Sequence, residues 1–234
     1  MNIDIAIVEA GVYVLGLISI LMGQKIYGLR ETGLFFLGVV ILAGVNEHIT
    51  VFLGHYNYLW HVGRDLAYFS KYNESLGGNW AWIGVLPGYF FPGWFTLCIG
   101  SYTVAKVLSP ESKTVLRASL TAIQVIMFGL VVENLGFISH WYEYTSAGMT
   151  LTFWDGVWGG VYVYYFCWIG SLVLVFEKTI LEKGEFSFLK GIEKRLFRVK
   201  GEIKLYCFRL VVFSLISSAI THSFDLFVMR PIGN

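Results

Sequence analysis

Leu34-Phe35-Phe36-Leu37-Gly38-Val39-Val40-Ile41-Leu42-Ala43-Gly44-Val45-Asn46-Glu47-His48-Ile49-Thr50-Val51-Phe52-Leu53-Gly54 is an apolar run with a carboxylate near its end. The hydrocarbon core of a bilayer takes about 20 residues of helix, and this run is long enough. An ionisable group inside such a helix is costly, which makes Glu47 a candidate functional residue. The chain carries that cost twice. Glu47 is followed by His55, Tyr56, Asn57 and Tyr58, and Glu133 by His140, Trp141, Tyr142, Glu143 and Tyr144. Each acid lies deep in an apolar run, with a histidine seven or eight residues later among aromatic side chains.

The surrounding chain agrees with a membrane reading. Of 234 residues, 56% are hydrophobic and only 14% charged, and the mean hydropathy is +0.64. Soluble domains are nearer a quarter charged. A net charge of +1 argues against nucleic acid as a partner. Cys98, Cys167 and Cys207 form no Cys-x-x-Cys motif, and they read as small packing residues. The start, Met1-Asn2-Ile3-Asp4, has no basic region of the kind that opens a cleaved signal peptide.

On the 20-residue ruler the chain divides into six spans, at about 4–23, 32–54, 80–105, 115–139, 156–176 and 206–229. The expected fold is an all-α polytopic bundle in one integral membrane domain, 1–234, built from three weakly repeated helical hairpins. Pro87 and Pro92 predict a kink in span three. The connections after spans one, three and five hold Lys25, Arg30, Lys106, Lys113 and the dense run from Lys178 to Lys204, whereas the other side holds Arg64, Lys71 and Arg230. That bias places both termini outside and the basic loop inside. Segment 177–205 mixes Phe186, Phe188, Leu189, Ile192 and Leu196 with Lys190, Lys194 and Arg195, and it reads as amphipathic and fit for the inner headgroup layer. Arg209 is expected to snorkel to the headgroups, and Asp155 to cap span five.

Spans two, four and six run from inside to outside, so Glu47, Glu133, His222 and Asp225 fall at one depth in the outer half of the bilayer. Rings crowd the same end, and an interfacial belt accounts for many of them. It does not account for Tyr162, Tyr164, Tyr165 and Trp168, which lie deeper in span five. A carboxyl group kept from water favours its protonated form, and ring faces stabilise a cation. Together they can protonate an isoprenoid double bond and hold the tertiary cation that results.

The same residues carry a resemblance. Glu47 with Gly54-His55-Tyr56-Asn57-Tyr58, then Gly84-Val85-Leu86-Pro87 and Trp94, resembles the integral-membrane carotenoid hydratase (carotenoid biosynthesis protein) family. Glu133 with Trp141-Tyr142-Glu143-Tyr144, then Trp158-Gly159-Gly160-Val161 and Trp168, resembles the second half of that pattern. The likeness spans about residues 40–170. It implies a membrane lyase acting on a carotenoid or other polyisoprenoid lipid, with Glu47 and Glu133 as the acids. His48, His55 and His140 fall outside the family pattern.

The resulting expectation assigns Glu133 or Glu47 as general acid. Tyr56, Tyr58, Trp141, Tyr142 and Tyr144, with Tyr165 and Trp168, shape the substrate pocket. His222, Asp225, His48 and His140 position water or relay protons. No cofactor is required. One rival uses two of His48, His55, His61, His140 and His222, all on the outer side, to ligate haem b, or Glu47, His48, Glu133, His140, His222 and Asp225 to ligate zinc, copper or iron. Another makes the chain a non-catalytic subunit of a membrane complex, or a homo-oligomer, with its carboxylates satisfied structurally. A sterol-isomerase-like enzyme would use the same protonation chemistry.

Overall fold

The computed structural model describes residues 5–52, 56–58, 90–138, 142–144, 151–153, 156–158, 160–196 and 201–229. The helices are α1 (Ile5–Tyr27), α2 (Leu29–Phe52), α3 (Phe90–Leu108), α4 (Thr114–Ile138), α5 (Gly160–Phe176), the short α6 (Lys190–Leu196) and α7 (Glu202–Phe224). Five of them hold windows long and apolar enough to cross a membrane: Ala10–Tyr27, Leu29–Glu47, Thr114–Leu135, Tyr162–Leu181 and Glu202–Val228. The protein is therefore an all-α polytopic membrane bundle.

The third expected span is the exception. Of the expected span 80–105 the residues before Phe90 lie outside the described ones, and the described α3 is not among the five apolar windows. Trp94, Thr96, Ser101, Tyr102, Thr103 and Lys106 dilute its apolarity. Pro92 lies in the first turn, where a missing N–H leaves no intrahelical bond unmade. It therefore costs the described helix no bond, while Pro87 lies outside the described residues. Span five is also shorter at its start. Residues 156–158 pair as a strand and α5 begins at Gly160; Asp155, the expected cap, lies outside the described residues.

Contacts between helices set their directions. Tyr27 donates to Thr103 at 2.9 Å, so α1 and α3 run parallel. Four α2–α7 hydrogen bonds (Arg30–Glu202, Leu34–Tyr206, Leu42–Ser214 and Asn46–Ser218) join residues 172 apart, the mark of parallel helices packed in register. Tyr164 of α5 meets Glu47 of α2, and Arg117 of α4 meets Glu177 at the far end of α5. Helices α1, α3 and α5 thus run one way and α2, α4 and α7 the other. One end of the bundle collects basic residues and the other aromatic ones.

Helix α2 lies at the centre, against α1, α3, α5 and α7. The core around it is aromatic. Phe35 stacks on Tyr102 at 5.5 Å and meets Phe176 edge-on at 5.0 Å. Close approach depends on Gly38, where a Cβ would come within 2.7 Å of Leu172 Cδ1 and collide with the Tyr206 hydroxyl. The α1–α2 turn uses Gly28 at φ +92°, a left-handed conformation that costs glycine little. Outward faces stay apolar, as on α4, where Ile123, Met127, Phe128 and Val131 are exposed. In a membrane these faces meet lipid.

Two short antiparallel ladders complete the described fold. β1 (Tyr56–Tyr58) pairs with β2 (Tyr142–Tyr144), and β3 (Leu151–Phe153) pairs with β4 (Gly156–Trp158). The first joins the two echoing segments. Tyr56 pairs with Tyr144, Asn57 with Glu143 and Tyr58 with Tyr142. Tyr56 and Tyr142 are 86 residues apart, as are Glu47 and Glu133. The central pair, Asn57–Glu143, therefore consists of repeat mates, and a half-turn maps the ladder onto itself.

The basic end is closed by a strap. After α5 the chain makes a π-helical turn, Glu177–Leu181, and reaches α6. Arg117 grips the buried Glu177 with Nε and Nη2, both at 2.6 Å, while the Tyr102 hydroxyl donates to the same carboxylate at 2.9 Å. Arg209 was expected to snorkel, yet it is 1% exposed. Its guanidinium donates to both Glu193 oxygens at 2.7 and 3.0 Å, to Thr179 at 3.0 Å and to the Gly184 carbonyl at 2.9 Å. A fork of five donors suits so many acceptors, which is why burial is tolerated. Within the segment expected to be amphipathic, Phe186 and Leu189 are buried while Phe188 and Ile192 are exposed.

Candidate functional site

Both acids lie buried at the aromatic end. Glu47, near the end of α2, is 4% exposed, and Glu133, near the end of α4, is 8% exposed. Helix α5 enters between them. Its Tyr164 hydroxyl donates to Glu47 Oε2 at 3.1 Å. On the other side its Tyr162 hydrogen-bonds the side chain of Asn134 and lies within electrostatic reach of Glu133. Asn134 is itself anchored by a 2.7 Å bond from Nδ2 to the Leu130 carbonyl. Gly129 makes room for α5, because a Cβ there would come within 3.1 Å of the Tyr165 ring.

Rings fill the space beside Glu47. Trp94 of α3 meets Tyr165 at 4.8 Å and Trp168 at 4.9 Å, both edge-on. Tyr164 lies 5.7 Å from Tyr165 and 6.3 Å from Trp168. Phe90 adds a further edge to Trp94 at 6.2 Å. Tyr164, Tyr165 and Trp168 are all buried. The electron-rich faces and the two carboxyl groups therefore belong to one region of the bundle.

A polar seam links this region to α7. Asn46, next to Glu47, donates from Nδ2 to Ser214 Oγ at 2.7 Å and accepts from Ser218 Oγ at 2.5 Å. Ser217 bridges to Ser171 at 2.9 Å, and Thr221 bonds the Ser217 carbonyl at 2.8 Å. His222 follows, half-buried, at the same end of α7. Hydroxyls and an amide can pair fully with one another inside a membrane bundle, which explains their tolerance there.

Of the expected site, Glu47, Glu133, Tyr165 and Trp168 are brought together around α5, and His222 is carried to the same level. For His48, Asp225, Tyr56, Tyr58, Tyr142 and Tyr144 only the backbone is described. His55, His61, His140 and Trp141 lie outside the described residues. Among the described residues, no three side chains of His, Cys, Asp or Glu gather as a metal site would require. From sequence, Tyr162 and Tyr164 were singled out only as deep rings and Trp94 only in the family resemblance, with no pairing to either acid, and Asn46 had no assigned role. One signal was legible, since Asn46 puts a second polar group beside Glu47 in an apolar run. The pairing of Tyr164 with Glu47 spans 117 positions and left no such trace. Comparison of the chain with protein-family models, with curated proteins and with solved structures found no match.

Proposed function

We propose that this protein is a membrane enzyme that protonates a double bond of a polyisoprenoid or carotenoid lipid, leading to hydration or isomerisation. The observation that carries the reading is Glu47, a buried carboxyl group held by Tyr164 beside the ring cluster of Trp94, Tyr165 and Trp168. Tyr164 holds Oε2, and in this reading the Glu47 carboxyl group carries a proton. In the proposed step that proton forms a new C–H bond at one alkene carbon. The π pair is consumed, and the tertiary carbon becomes cationic against the ring faces. In hydration a water oxygen bonds to the cation and returns a proton to the Glu47 carboxylate, for a net addition of one water. In isomerisation the adjacent carbon returns the proton instead. Glu133, backed by Tyr162 and Asn134, stands as the second acid across α5. Apolar outer faces suit a substrate that arrives from the bilayer.

The proposed orientation puts the aromatic end and both termini outside, with the strap toward the cytoplasm, because Lys and Arg concentrate at the strap end. The test of the activity is Glu47→Gln and Glu133→Gln in membranes supplied with isoprenoid and carotenoid lipids. Loss of a general acid is expected to slow conversion by about 10²- to 10⁴-fold. Undiminished conversion by both variants would end this reading.

A further inference from the structure

Trp168 presents a buried donor that the described residues leave unpartnered. The side chain is 1% exposed, and its Nε1 has no hydrogen-bond partner among the described residues. Indole nitrogen donates and cannot accept, so only an oxygen or similar acceptor can satisfy it. A buried donor without an acceptor is expensive. The Thr32 and Ser101 hydroxyls and Glu202 Oε1 are also without partners among the described residues, but they lie toward the basic half of the bundle, away from both acids. A hydroxyl can moreover turn, whereas the indole N–H direction is set by its ring.

The position of this donor matters. Trp168 follows Tyr164 by one helical turn, about 6 Å deeper along α5, and Tyr164 holds Glu47. Its ring packs against Trp94 at 4.9 Å and Tyr164 at 6.3 Å. A hydrocarbon lying along those rings would leave the indole N–H unsatisfied. An isoprenoid with an oxygen at that depth would satisfy it while its alkene lies near the carboxyl group.

Resting on the proposed isoprenoid reading, we infer that Trp168 Nε1 is a ligand-binding donor and that the site takes an oxygenated isoprenoid, an alcohol or ketone, in preference to a pure hydrocarbon. The probes are a radiolabelled C20 isoprenoid alcohol and the C20 hydrocarbon of the same skeleton, retained on immobilised, detergent-solubilised protein. Wild type is expected to hold the alcohol about tenfold more tightly, the worth of one buried hydrogen bond. Trp168→Phe is expected to lose that preference, the two ligands then being held equally. Trp94→Phe, which alters the ring packing, should weaken both ligands alike and keep the preference. Equal retention of the two ligands by wild type overturns the inference and assigns the acceptor to water; this comparison stands even if a Trp168 variant fails to fold. A preference that survives in folded Trp168→Phe also overturns it. Retention of neither ligand overturns the inference together with the isoprenoid reading, whereas equal retention with intact conversion overturns the inference alone.

Discussion

Tyr162 and Tyr164 are two positions apart on α5, about 200° around the helix, so one helix turns a phenol toward each acid. That arrangement makes Tyr164 a positioning residue for Glu47. Tyr164→Phe keeps the ring and removes the donor at 3.1 Å. Conversion is expected to fall about tenfold, and the infrared carbonyl band of the Glu47 carboxyl group to move to higher frequency. An unmoved band would show that the bond is not made in the membrane. Asn46 makes a different kind of prediction, because it bonds Ser214, Ser218 and the Leu42 carbonyl. Asn46→Ala takes the acceptor from the Ser218 hydroxyl and a donor from Ser214, which keeps the Leu42 carbonyl, and is expected to cost about 1–2 kcal/mol, read as a lower midpoint of unfolding in detergent. In the strap, Lys190 lies 2.9 Å from Glu185 and holds its carboxyl below the usual carboxylate range. A carboxyl with its folded-state pKa lowered contributes stability above its unfolded pKa and loses it as pH falls through the folded value. Both side chains are exposed, so Glu185→Gln is expected to leave the unfolding midpoint at neutral pH unchanged.

The strap shows why an element cannot be read from composition alone. Its sequence pattern suited a headgroup helix, yet two arginines from distant helices consume its acids. Arg117 takes Glu177, and Arg209 takes Glu193. Replacing Arg209 by Ala leaves Glu193 without its bidentate partner in a mostly buried place. The expected cost is about 3–5 kcal/mol, with faster proteolysis between Leu181 and Glu202 as the local readout. Unchanged stability would place the strap outside the folded unit. Contact between helices offers a second test. Gly38→Ala puts a methyl group against Tyr206 and Leu172, and the overpacked α2–α7 contact is expected to lose about 1–3 kcal/mol.

At the scale of the molecule, two numbers organise the fold. Residues of α2 and α4 correspond at an interval of 86, and α2 meets α7 at an interval of 172, twice that value. Three helices of one direction therefore carry their costly residues to one end, and α5, of the opposite direction, supplies the rings between the acids. Single cysteines placed at Lys183 and at Ile7, which precedes the Ala10–Tyr27 window, are expected to label from opposite faces of sealed vesicles if the proposed orientation holds. Labelling of both from one face would overturn it.

How much of this was legible follows from the range of each interaction. Helix positions, the two acids and the echo were readable, because apolar runs and residue spacing are local properties. The strap and the partners of Glu47 were not, because each depends on residues tens to more than a hundred positions away. The sequence by itself determined a membrane bundle of long apolar helices with two carboxylates near the ends of like-directed segments, since a bilayer selects helix by length and hydropathy. Only the tertiary structure decided that Arg209 is buried, that Tyr164 holds Glu47 and that Trp168 keeps a donor unmatched among the described residues. Burial and pairing are set by which faces of α2, α5 and α7 meet, and a linear pattern of residues does not contain that choice.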